Sequence, residues 1–203
     1  MKILLIGATG KLGTAVHKTL AGRGHEIITV GRSGGDLRLD IGDPTQVTEV
    51  YDRAAERIGA LDAVVSAAGD TPFKPVAEMT AEDYAAGFRG KVLSQIELVR
   101  QGTARISARG SFTLITGVLA RDPIPTGSAA AMANGAVESF VRAAAIDIAP
   151  QRVNAVSPTV VTESLPDYGA FFPGIASVGL DQVAAAYVRS VEGGQTGQVY
   201  ELA

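Results

Sequence analysis

Apolar and polar positions fall along this chain in blocks of two kinds. Short, nearly unbroken apolar runs occupy residues 3–6, 26–30, 61–65, 111–116, 152–156 and 198–202. Runs of that length, bounded by glycine or turn residues, read as strands buried on both faces. Longer amphipathic stretches at 11–21, 44–58, 81–107, 128–148 and 181–191 separate them. Asp43 is a good N-cap for the second stretch, and Pro44 suits its first turn. In 128–148, Ala133, Ala136, Val137, Phe140, Val141, Ala144 and Ile148 form an apolar stripe of helical period. The stretch 81–107 reads as one long helix, with interruptions expected near Gly87, Gly90 and Gly102.

Strands alternating with helices predict a doubly wound α/β Rossmann-type parallel sheet with helices on both faces. No repeat, linker or low-complexity tract divides the chain, so one domain over 1–203 is expected. One link departs from the pattern. A short third strand fits DLRLDI, residues 36–41, but only GRSGG separates it from the second, where a helical crossover needs about ten residues. The third strand is therefore either very short or reached by an abbreviated turn.

Composition narrows the chemistry. A net charge of −3 over 203 residues gives no reason to expect nucleic acid or a membrane surface as partner. The chain has no cysteine, which excludes disulfides, thiolate catalysis and zinc-thiolate sites, and its two histidines, His17 and His25, are too few for a histidine metal cluster. No metal is expected. MKILLIGATG lacks the longer apolar stretch of a signal peptide, and a cytoplasmic protein is expected.

GATGKLG, residues 7–13, follows the first strand and opens the first helix. There Gly7 permits the tight turn, Gly10 lets backbone approach a diphosphate, and Gly13 allows close packing of helix on sheet. The helix N-terminus offers unpaired N–H groups to phosphate. A dinucleotide site follows from this placement. After the second strand, VGRSGG presents Arg32 and Ser33, with no carboxylate before Asp36. Guanidinium beside hydroxyl suits a ribose 2′-phosphate, so NADP(H) is favoured over NAD(H), with Lys11 as a second phosphate candidate.

From GATGKLG to TGQVYELA the chain resembles the short-chain dehydrogenase/reductase family. SAAG, residues 66–69, is similar to the family's NNAG, and RVNAVSPTVVTES, residues 152–164, to the "VNAVSPG…T" that flanks the nicotinamide. Thr159 stands in place of the usual glycine, and Thr162 one place before the usual threonine. The resemblance implies cofactor contacts at Gly7, Thr9, Gly10, Lys11, Leu12, Gly13, Arg32, Ser33, Asp40, Ile41, Ala67, Ala68, Gly69, Pro158, Thr159, Val160 and Thr162. It also implies hydride transfer to or from a small carbonyl or alcohol, and a homodimer or homotetramer through the long helices.

The family's acid/base residues are replaced. Its serine falls at Gly117, its tyrosine at Ala130, its lysine at Asn134, and its asparagine at Lys91, or Arg89 in a shifted register. The chain resembles short bacterial members that lack the Tyr-x-x-x-Lys motif. Lys91, Thr116, Asn134 and Tyr168 are the candidate replacements. Lys91 would give a proton if its pKa were lowered, and Tyr168 lies in PDYGAFFPG, where the family carries its substrate lid. Thr116 offers a hydrogen bond. Asn134 either orients ribose or water or is a helix-surface amide. Arg121 and Asp122 are candidates for an anionic substrate. The alternative is a non-catalytic NADP(H)-binding sensor, as in NmrA-like regulators with a GATGxxG loop.

Overall fold

The computed structural model describes all 203 residues. The apolar runs become seven parallel strands: β1 (Lys2–Ile6), β2 (Glu26–Gly31), β3 (Leu37–Arg38), β4 (Leu61–Ser66), β5 (Ile106–Ile115), β6 (Arg152–Pro158) and β7 (Val199–Leu202). They lie in one sheet in the order β3-β2-β1-β4-β5-β6-β7. Helices α1 (Lys11–Gly22) and α7 (Leu180–Glu192) cover one face. Helices α2 (Pro44–Ile58), α4 (Ser94–Gly102) and α5 (Ser128–Asp147) cover the other. Alternate residues of β1 divide between the two cores, Leu4 and Ile6 on the α2 side, Ile3 and Leu5 on the α1 side. This is why its sequence is apolar without alternation.

The third strand is both short and reached without a helix. It spans two residues, pairing Leu37 with Val30 and Arg38 with Gly31. Asp36 folds back onto β2, its Oδ2 accepting from Thr29 N at 2.9 Å and Thr29 Oγ1 at 2.6 Å. Gly35 supplies the positive φ of 97° that the reversal needs.

The 81–107 stretch requires a correction. Helix α3 (Ala81–Gly87) passes through a π-helical segment, Phe88–Leu93, into α4, which ends at Gly102. Ile106 pairs with Leu61, so β5 begins five residues earlier than expected, and a register shift takes up the polar residues before Ser111. The π turn widens the helix where Lys91 sits. The buried Gln95 secures it, donating to Lys91 O and Ile115 O at 3.0 Å each and accepting from Ile115 N at 2.8 Å. In α2, Asp43 caps as expected, its Oδ1 accepting from Thr45 N at 2.9 Å. No helix is long and apolar enough to cross a membrane.

Candidate active site

Two cavities open along the C-terminal ends of the strands, where doubly wound sheets place ligands. The first, about 680 Å³, begins at the reversal of strand order between β1 and β4. Its wall includes Gly7, Thr9, Gly10, Arg32, Ser33, Asp40, Ile41, Ala67, Ala68 and Gly69. The second, about 480 Å³, is lined by Lys91, Thr116, Asn134, Pro158, Thr159, Val160 and Tyr168 among others. Gly69 and Asp70 belong to both, so one groove runs past the ends of β2, β1, β4, β5 and β6.

The first cavity fits a dinucleotide. Gly7 turns at φ 80°, and a Cβ there would meet Ala67 O at 2.9 Å. A Cβ on Gly13 would lie 2.0 Å from Gly7 O, so α1 packs on the loop only without a side chain. Gly10 faces open space, its nearest neighbour to an added Cβ being 3.7 Å away. The amides of Lys11, Leu12 and Gly13 find no backbone acceptor, and no side chain caps α1. An uncapped positive helix end beside bare backbone is the donor set a diphosphate requires. At the far end, Arg32 is exposed and makes no hydrogen bond or ion pair, while Asp36, the first carboxylate after β2, is held on Thr29. Thr29 also lowers the Asp36 pKa, fixing it as a charged acceptor within the turn.

Four residues expected at the cofactor line neither cavity. Leu12 packs against the core, and Gly13 backs the loop as described. The Lys11 ammonium is taken by another partner, bonding Asp167 Oδ2 at 2.9 Å and Glu163 O at 3.3 Å. Thr162 Oγ1 donates to Ser177 Oγ at 3.0 Å. Arg121 and Asp122 also lie off the lining, which leaves Lys91 as the cation of the second cavity.

Lys91 points from the π turn across Gly69, where an added Cβ would touch its Cγ at 2.9 Å. It has no hydrogen-bond partner. Burial lowers its pKa to about 8, against a smaller upward pull from Asp70. The rest of the cavity is mainly apolar, with Phe73, Leu119, Ile124, Ala130 and the lid residues Phe171 and Phe172. The lid contains a short helix, α6 (Leu165–Tyr168), and Tyr168 is about half exposed at its end.

The floor differs from the sequence expectation. Asn134 is not a helix-surface amide: it is 3% exposed, donates through Nδ2 to Gly117 O at 3.3 Å, and leaves Oδ1 without a partner. One turn on, Glu138 is buried and its Oε1 accepts from Ser157 Oγ at 3.0 Å, Thr116 Oγ1 at 3.1 Å and Arg121 at 3.1 Å. Sequence reading passed over Glu138. The signal was its i+4 spacing from Asn134 on a buried stripe, where a carboxylate must find donors.

A family model described as Enoyl-(Acyl carrier protein) reductase matches residues 11–180. Versicolorin reductase stcU from Emericella nidulans is 28% identical over 182 residues, covering 79% of this chain and 69% of that one. The crystal structure of the protein lin1944 from Listeria innocua superposes with a TM-score of 0.95 at 43% identity, over all of both chains. A small-chain dehydrogenase in complex with NADPH superposes with a TM-score of 0.85 at 25% identity, covering 100% of this chain and 96% of that one. With the seven-stranded sheet and its glycine loop, these matches place the chain in the short-chain dehydrogenase/reductase family of oxidoreductases.

Proposed function

We propose that this protein is an NADP(H)-dependent oxidoreductase acting on a small, neutral, largely apolar carbonyl or alcohol, with Lys91 handling the proton. The observation that carries the reading is Lys91 itself, an unpaired ammonium where the two cavities meet, with a pKa of about 8. A group titrating there gives and takes protons near neutrality. The bound nicotinamide supplies or accepts the hydride. In reduction, Lys91 Nζ donates a proton to the carbonyl oxygen, and the charge of neighbouring Asp70 favours its recharging. Tyr168, Phe171 and Phe172 exclude water as the lid settles. Thr116 is not a donor in this scheme, because both its contacts, Glu138 and Val156 O, are acceptors that hold its proton.

The unpaired Arg32 with Ser33 supports NADP(H), as does the NADPH complex of the superposing small-chain dehydrogenase. Fluorescence titration tests this. Arg32→Ala weakens NADPH about ten- to a hundredfold and leaves NADH unchanged, as loss of a bidentate phosphate contact requires. Equal losses for both nucleotides overturn the preference.

A second reading, a non-catalytic NADP(H)-binding regulator, is supported by Gly117 and Ala130, which put no hydroxyl where the family keeps two. A screen of carbonyl substrates decides between them: turnover that Lys91→Ala abolishes supports the enzyme, and binding without turnover supports the regulator. Assembly as a homodimer or homotetramer through the long helices is also proposed, supported by the exposed Phe88, Leu93, Met132 and Ile146. Light scattering tests it.

A further inference from the structure

The chain carries five lysines. Lys18 stands in solvent, and Lys11 and Lys74 are ion-paired, with Asp167 Oδ2 at 2.9 Å and Asp83 Oδ1 at 2.8 Å. Lys2 begins β1, at the end of the sheet opposite the ligand groove. Only Lys91 lines that groove. Its amine is open as well as unpaired. The sealed polar side-chain atoms without a partner are Ser111 Oγ and Asn134 Oδ1, so Nζ, which also lacks one, keeps an accessible surface. The space beside it is the second cavity, in whose wall Lys91 stands. Gly69 seats the stem, since an added Cβ there would lie 2.9 Å from Lys91 Cγ and 3.3 Å from Cδ.

Burial lowers the Lys91 pKa to about 8, against the pull of Asp70, the one charge that acts on it. About a quarter of the amine is therefore neutral at pH 7.5, where an ordinary lysine is neutral in about one molecule per thousand. The charged form is the proton donor of the proposed reaction. The neutral form is a nucleophile, as a desolvated lysine in an apolar pocket becomes. Phe73, Leu119, Ile124 and Phe172 in the same cavity give an apolar chain a wall to lie on.

We infer that Lys91 is a covalent modification site, whose neutral Nζ captures an apolar aldehyde held in the second cavity as an imine. The nitrogen lone pair forms a bond to the aldehyde carbon, and the carbonyl π pair moves onto oxygen. The two protons of the amine leave with that oxygen as water, and C=N replaces C=O. Nothing is oxidised or reduced. Seating the chain of the aldehyde on the apolar wall holds its carbonyl beside Nζ, which raises the effective concentration of the pair. The inference rests on the proposed function only for the second cavity as a ligand site.

Reductive trapping tests it. The full chain is incubated without nucleotide at pH 7.5 with hexanal or propanal and sodium cyanoborohydride, which turns each imine into a stable secondary amine. Peptide mass mapping then gives a rate for each lysine and, separately, for the amino terminus. Hexanal labels Lys91 at least about tenfold faster than the solvated Lys18, because far more of the Lys91 amine is neutral. At Lys91 hexanal outpaces propanal about tenfold, since its three further methylenes are buried, while Lys18 takes the two alike. Lys91 labelled no faster than Lys18 overturns the inference, and so does a chain-length preference no greater at Lys91 than at Lys18. Trapping needs neither nucleotide nor turnover. A regulator without activity can show the adduct, and an enzyme whose Lys91 only moves protons turns over without it.

Discussion

Under the proposed function, Lys91 trades stability for chemistry. Its charged form is disfavoured by burial, so the folded chain gives up the proton at about pH 8 while the unfolded chain keeps it to about 10.5. Between those values the unfolded state binds more protons, and stability rises with pH. Below pH 8 the full cost of burying the charge is present. Lys91→Met therefore raises the unfolding free energy at pH 7 by about 2 kcal/mol once partial exposure is allowed for, read as a higher thermal midpoint, and the gain fades as pH rises from 8 toward 10.5. The same change lowers turnover by about a hundredfold or more. If Lys91 is the proton donor, the rate of carbonyl reduction by the wild type should be level below about pH 8 and fall about tenfold per unit above it. A profile flat through pH 9 would remove Lys91 as the donor.

At the scale of elements, the β1–α1 turn separates the two uses of glycine. Gly13 is buried by geometry, its missing Cβ lying 2.0 Å from a backbone oxygen that cannot move without opening the loop. Gly13→Ala should destabilise the fold by about 3 kcal/mol. Gly10→Ala meets nothing within 3.7 Å and should cost less than about 1 kcal/mol, yet its methyl enters the space that the first cavity leaves for a diphosphate. NADPH affinity should then fall about tenfold while the denaturation midpoint barely moves. Chemical denaturation and nucleotide titration on both variants read the two effects apart. Equal stability losses would show that Gly10 is structural too.

Over the whole molecule, ion pairs tie together parts of the chain that lie far apart in sequence. Glu192 at the end of α7 accepts from Arg23 at 2.5 Å and from His25 at 2.9 Å, joining the last helix to the turn before β2. Arg23 first, and His25 after it, hold the Glu192 carboxyl down at about 2. The folded pKa lies below the unfolded value, so this contribution is complete above about pH 4.5 and is lost as pH falls toward 2. Because the pair is partly solvated, Glu192→Gln should cost only about 0.5–1 kcal/mol at pH 7. Thermal midpoints of wild type and variant should converge near pH 2. Lys11 makes the corresponding link at the site, joining the glycine loop to the lid through Asp167.

The chain's local patterns by themselves determined the order of strands and helices, the glycine turn and the capped start of α2. These rest on side-chain period and turn chemistry, which act between near neighbours. They also marked Lys91, Asn134 and Thr116 as residues to watch, by where a familiar set of groups was missing. Tertiary structure alone decided what those residues are. Ile106 joined β5 because Leu61 was there to pair with it, and the two residues of β3 needed Val30 and Gly31. Asn134 became a buried acceptor because Gly117 O took its amide, and Glu138 was tolerated in an apolar stripe because Thr116, Arg121 and Ser157 converged on it. The protonation of Lys91 likewise follows from how much of its surroundings is protein and how much is water. A sequence written one residue after another holds those meetings only implicitly, because burial and hydrogen bonding are settled by residues brought together from distant positions in the folded chain.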